Sequence, residues 1–171
     1  MGVYKNIEEK KTFKLCRGSL ILFGNRASLN ACRVVQQSRL LLDTHLLLWA
    51  LAEPGRLDAK TKSALEDPGN EVLFSAASLW EIAIKAGLGR TDFNVDPQQI
   101  LQAALETGFV ELPVRSDAAI LVAKLSPHHR DPFDRLLIAQ AISEPGRFYT
   151  ADPLLPPYSE LVTLVGKSVA P

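Results

Sequence analysis

Cysteine is nearly absent from this chain: Cys16 and Cys32 are the only two among 171 residues, and both precede Ser38. The rest of the sequence therefore has no disulfide framework and no thiolate metal site, and a reducing, cytoplasmic location is expected. Long hydrophobic runs are missing too. None approaches the roughly 20 residues that span a bilayer, so no membrane partner is expected. Leu20 to Phe23 is closed at once by Gly24, Asn25 and Arg26, well short of the roughly 7–15 apolar residues of a secretory signal core. Leu29-Asn30-Ala31-Cys32 faintly suggests a lipoprotein cleavage box but lacks that core as well. Glycine-rich phosphate loops do not occur, and neither does a Ser/His/Asp or Cys/His arrangement, which argues against nucleotide-loop and covalent-nucleophile chemistry. Internal repeats and low-complexity tracts are also lacking.

What is present divides into two unlike parts. Net charge is zero overall, yet residues 1–38 carry seven Lys/Arg against two Asp/Glu, net +5, which leaves residues 39–171 at net −5. Residues 1–38 lack hydrophobic periodicity. They read as an upstream extension of the reading frame, with Val34 or Val35 compatible with an alternative start, in preference to a basic arm that contacts RNA. Residues 39–171 are 47% apolar like the chain as a whole and long enough to bury roughly two thirds of their unfolded surface as one domain.

Beyond Arg39 the sequence alternates short apolar runs with helical patterns. Leu40-Leu41-Leu42, Val72-Leu73-Phe74, Phe109 to Leu112, Arg147 to Thr150 and Leu161 to Val165 read as strands. Helices are expected over Leu46–Leu51, Asp58–Glu66, Ser78–Ala86, Gln98–Glu106, Ser116–Leu125 and Pro132–Ser143. Buried strands separated by helices predict an α/β fold, a three-layer α/β/α sandwich around a mostly parallel sheet. In such sheets ligands bind at the carboxyl ends of the strands.

Four acids, Asp43, Glu81, Asp134 and Asp152, each fall where an apolar strand or helix begins or ends. Gathered in one pocket they repel one another unless divalent cations neutralise them, which points to a metal-dependent phosphodiesterase. Each acid also has a simpler reading. Ser78-Leu79-Trp80-Glu81 matches a capping box. Asp131-Pro132-Phe133-Asp134 matches an N-cap, a first-turn proline and a dipole-favoured acid. Asp152-Pro153 can open a turn. Asp43 resists such a reading, because Leu42-Asp43-Thr44-His45 carries no turn signature. His128 and His129 read as a solvated loop, with phosphate contact as the functional alternative, and His45 reads as packing locally.

Leu41-Leu42-Asp43-Thr44-His45, Ser75 to Lys85 (SAASLWEIAIK), His129 to Ala141 (HRDPFDRLLIAQA) and Thr150-Ala151-Asp152 together resemble the PIN domain, most of all the VapC-type toxins of bacterial toxin–antitoxin pairs. The resemblance runs from residue 39 to 165. It implies a Mg²⁺- or Mn²⁺-dependent ribonuclease in which Asp43, Glu81, Asp134 and Asp152 are the acidic quartet and the metal ligands. Asp131 would be an extra ligand or, preferably, a helix cap. Thr44 and Thr150 would orient neighbouring carboxylates. Candidate RNA contacts are Lys85, Arg130 and Arg135, with Arg90 and Lys124 nearby. The expected partners are an RNA substrate, a cognate antitoxin protein and a second copy of the chain in a homodimer. A non-catalytic PIN-like module binding RNA or protein is the alternative.

Overall fold

The computed structural model describes residues 38–88, 93, 95–144 and 146–166. The basic leading segment, both cysteines and Arg90 lie outside the described residues. Five parallel strands form one sheet in the order β3-β2-β1-β4-β5, with β1 at Ser38–Leu42, β2 at Asn70–Ser75, β3 at Val110–Leu112, β4 at Arg147–Thr150 and β5 at Val162–Leu164. Six α-helices connect them: α1 (Thr44–Ala52), α2 (Ala59–Glu66), α3 (Ala76–Gly87), α4 (Pro97–Thr107), α5 (Ser116–Leu121) and α6 (Pro132–Ser143). The expected three-layer sandwich is what forms.

Side chains alternate across a strand, so Leu40 and Leu42 face one way and Leu41 the other. Leu40, Leu42, Val72 and Phe74 pack with α1, α2, α3 and α4 through Leu46, Leu47, Leu65, Ile82, Ile100 and Ala104. On the opposite face, Leu41, Leu73, Leu112 and Phe148 meet Leu137, Ile138 and Ala141 of α6. Both faces are covered, which is why these strands read as unbroken apolar runs. Burying each such side chain is worth about 1.5–3 kcal/mol. A one-residue slip would exchange every side chain between the two layers, so the pairing of Leu41 with both Leu73 and Phe148 is firmly specified.

Two helix starts differ from the sequence expectation. The first helix begins at Thr44, immediately after β1, because the Asp43 carboxylate accepts from the Leu46 amide and caps it. The third begins at Ala76, since Ser75, the last residue of β2, caps it by accepting from the Ala77 amide. A capping box at Ser78 is therefore overturned: Ser78 is interior to α3, and Glu81 sits in its second turn. Chain order also decides where the sheet opens. From the central β1 the chain builds outward through β2 and β3, then returns to the other side of β1 for β4 and β5. The carboxyl ends of β1 and β4 flank that switch point, the usual place for a ligand crevice in an open α/β sheet.

Candidate functional site

Asp43 directly follows β1, and its amide donates to the Tyr149 carbonyl of β4, so the strand ladder itself sets the position of its carboxylate. That side chain is almost fully buried. Its Oδ1 accepts from the Leu46 amide at 2.6 Å, and its Oδ2 from the Thr150 hydroxyl at 2.7 Å and the Ala151 amide at 3.1 Å. Burial pushes this carboxyl above its usual range, opposed by the Thr150 hydroxyl and the two amides. Asp43 has two duties here, cap of α1 and wall of the crevice.

Glu81 is also buried. It reaches the same end of the sheet from α3, where the Thr44 hydroxyl donates to its Oε2 and the Lys85 ammonium, one turn on, pairs with its Oε1. The two threonines thus divide the work: Thr44 holds Glu81, and Thr150 holds Asp43.

Asp131 caps α6 by accepting from the Phe133 amide at 2.8 Å, and Pro132 occupies the first turn. Asp134, one residue past Phe133, turns into the crevice. Its carboxyl is pushed up to about 7, by burial first and then by the negative charges of Asp131, Asp43 and Glu81, with His129 opposing. Asp152 follows β4 and does open a turn, accepting from the Leu154 amide through Oδ1. Asp43, Asp134 and Asp152 line a single open cavity of about 360 Å³ together with His45, Trp49, Ala151 and Pro153. Glu81 stands behind it, close enough to act on the Asp134 charge.

His129 departs from its expected place in a solvated loop. Its Nε2 lies 3.0 Å from Asp152 Oδ2 and 3.3 Å from Asp134 Oδ2. One atom from each of these three side chains falls within 4.8 Å of the others, a spacing a single ion can bridge. The sequence held only one local hint, the position of His129 two residues before the helix cap, and the fold-back onto Asp152 is a long-range event. His45, expected to pack locally, is instead exposed at the cavity rim.

Arg135 corrects the expectation of an RNA contact. Its guanidinium donates to the carbonyls of Val122, Leu125, Ser126 and His129 and to the Tyr158 hydroxyl. The Tyr158 hydroxyl in turn accepts from the His129 amide at 2.6 Å. These contacts occupy Arg135 and brace the 122–131 segment. Arg130 and Lys124 are exposed, whereas Lys85 is committed to Glu81.

A family model described as the PIN domain matches residues 40–155. Ribonuclease VapC22 of Mycobacterium tuberculosis is 35% identical over 112 residues, covering 66% of this chain and 85% of that protein. Among solved structures, that of VapBC2 from Rickettsia felis bound to a DNA fragment from their promoter superposes with a TM-score of 0.56. It is 14% identical and covers 75% of this chain and 99% of the matched one, a likeness of fold.

Proposed function

The chain belongs to the PIN-domain family, among its VapC-type ribonucleases, and on that premise we propose that it is a metal-dependent endoribonuclease acting as the toxin of a toxin–antitoxin pair. The observation that carries this reading is the convergence of Asp43, Asp134 and Asp152 on one cavity, with Glu81 held directly behind. A binding module without chemistry has no use for a buried carboxyl such as Asp134 set among other acids that oppose its ionisation.

The donor set suits a hard divalent cation. It is built from carboxylate oxygens, as Mg²⁺ and Mn²⁺ prefer, and the Asp134 carboxyl is pushed up to about 7, by burial first and then by the charges of Asp131, Asp43 and Glu81, a cost that a bound cation would relieve. Asp43, Glu81, Asp134 and Asp152 would hold the ion, which when bound supplies a water made nucleophilic at neutral pH and relief of charge on the phosphate.

The chain's own groups provide the geometry. Three donors leave Asp43 no rotational freedom. Thr44 and Lys85 fix both oxygens of Glu81. Trp49 and Pro153 wall the cavity, and its open side admits a phosphodiester backbone. Lys124 and Arg130 are the exposed cations offered to flanking phosphates. Asp131 is assigned to the helix cap rather than to the ligand set.

The partners proposed are RNA, an antitoxin protein and a second copy of the chain, in the cytoplasm. The antitoxin is supported by the VapBC complex that shares the fold. The homodimer is supported by Trp80 and Ile84 on α3 and Leu88 at its C-cap, which are exposed apolar side chains spaced one turn apart. The nuclease reading is tested by incubating the purified chain with RNA in Mg²⁺ or EDTA. Cleavage should appear only with the cation and be lost in Asp43→Asn at unchanged circular dichroism. Full cleavage by Asp43→Asn, or cleavage in EDTA, would overturn it.

A further inference from the structure

His129 sits against two proposed ligands, and by distance alone its Nε2 is a third donor for an ion between Asp134 and Asp152. The other ring nitrogen decides otherwise. Nδ1 accepts a hydrogen bond from the Asp131 backbone amide at 3.1 Å. An amide N–H always donates, so Nδ1 must present its lone pair and carry no proton. The ring's single proton is then on Nε2, which has no lone pair left to coordinate a cation and can only donate. A histidine that coordinates through Nε2 needs the reverse arrangement, with Nδ1–H donating to an acceptor such as a carbonyl or carboxylate.

The surroundings hold the ring in this state. The His129 amide donates to the Tyr158 hydroxyl, and the His129 carbonyl accepts from Arg135. The backbone is thereby fixed on both sides of the side chain. The Asp131 amide is fixed as well, because the Asp131 carboxylate caps α6 and its carbonyl accepts from the Arg135 amide. The other tautomer, with its lone pair on Nε2, would set Nδ1–H against the Asp131 N–H, donor to donor. On Asp152, Oδ1 accepts from the Leu154 amide and Oδ2 faces His129 Nε2, so both oxygens are oriented by protein donors.

Resting on the nuclease reading above, we infer that His129 is a positioning residue and not a metal ligand: its Nε2–H, set by the Asp131 amide, hydrogen-bonds the Asp152 carboxylate and fixes it beside that of Asp134 at ligand spacing. The neutral donor offsets part of their repulsion and leaves their remaining lone pairs for the cation. Removing such an outer partner typically weakens metal binding tenfold or more.

The test uses the full chain with ¹⁵N-labelled histidine. Nitrogen spectra should show His129 with a protonated Nε2 and a bare Nδ1, both without metal and with saturating Mg²⁺, and no one-bond coupling to ¹¹³Cd²⁺ in the cadmium-loaded protein. In parallel, His129→Ala should raise the Mn²⁺ dissociation constant roughly tenfold. His129→Gln, whose amide N–H replaces the Nε2 donor but offers no imidazole lone pair, should recover most of that loss. A ¹¹³Cd–¹⁵N coupling, an Nδ1–H ring, or a Gln variant as weak as the Ala variant would overturn the inference and make His129 a ligand. A wild-type chain that binds none of these cations would instead sink the nuclease reading on which it rests.

Discussion

At the scale of single residues, the crevice holds two carboxyls, Asp43 and Asp134, whose ionisation burial opposes. Asp134 has a pKa of about 7 in place of 3.8, with burial the largest cause. Between those two values the native chain keeps a proton that the unfolded chain has released. Native stability without metal is therefore favoured at low pH and falls as pH rises toward 7. Asp134→Asn removes this contribution, so urea titrations in EDTA at about pH 5 and about pH 7.5 should show a smaller loss of stability in the variant. An equal pH slope in the two proteins would mean that Asp134 titrates normally. The same variant should fail to cleave RNA. Glu81 allows a separate test now that the capping box is excluded. In Glu81→Gln the Thr44 hydroxyl still finds an acceptor, and the partly exposed Lys85 ammonium can turn to solvent once the pair is lost. Thermal melts should barely move while turnover collapses; a large drop in melting temperature with normal turnover would make Glu81 structural.

At the scale of elements, helix starts do the placing. Because Asp43 caps α1 directly at the end of β1, Thr44 lies in the first turn and reaches Glu81 across to α3. Because Ser75 rather than Ser78 caps α3, Glu81 is carried a full turn deeper, behind the crevice instead of at the helix end. At the close of α4, Gly108 takes φ 90°, a left-handed cap that lets Phe109 turn back into the core. The 122–131 segment has little regular structure and depends on Arg135, whose planar fork serves four carbonyls and a phenol oxygen. A lysine cannot match that geometry, and the carbonyls it abandons are partly buried. Arg135→Lys should cost about 2 kcal/mol or more in denaturant unfolding and loosen His129 with it. Wild-type stability in that variant would show that the segment is held by other contacts.

At the scale of the whole molecule, the four acids and the PIN-domain match over residues 40–155 all lie on the net −5 part of the chain. We propose that residues 39–171 are the nuclease domain and that the basic segment before them is dispensable. A chain beginning at Val35 should cleave RNA and be inhibited by its antitoxin as well as the full-length protein does. Loss of either property on shortening would make the basic segment functional. The layering was legible in the sequence because Leu40 to Leu42 and Val72 to Phe74 are apolar on both strand faces, a pattern that only a sheet covered on both sides satisfies. Asp43 and Asp152 could be placed beside the sheet edge from sequence because each follows a strand, whereas Glu81, in the second turn of α3, stands where no local pattern put it. Ser78 misled because a capping box is a local pattern, and the strand–helix junction at Ser75 was settled by how far β2 pairs with β1 and β3. Arg135 and His129 could not be assigned from their neighbours. The carbonyls that engage one and the carboxylate that meets the other come from segments up to 23 residues away. Periodicity and residue chemistry are properties of the chain and determine which groups are available; which of them meet is decided by chain reversal and packing, and only the tertiary structure settles it.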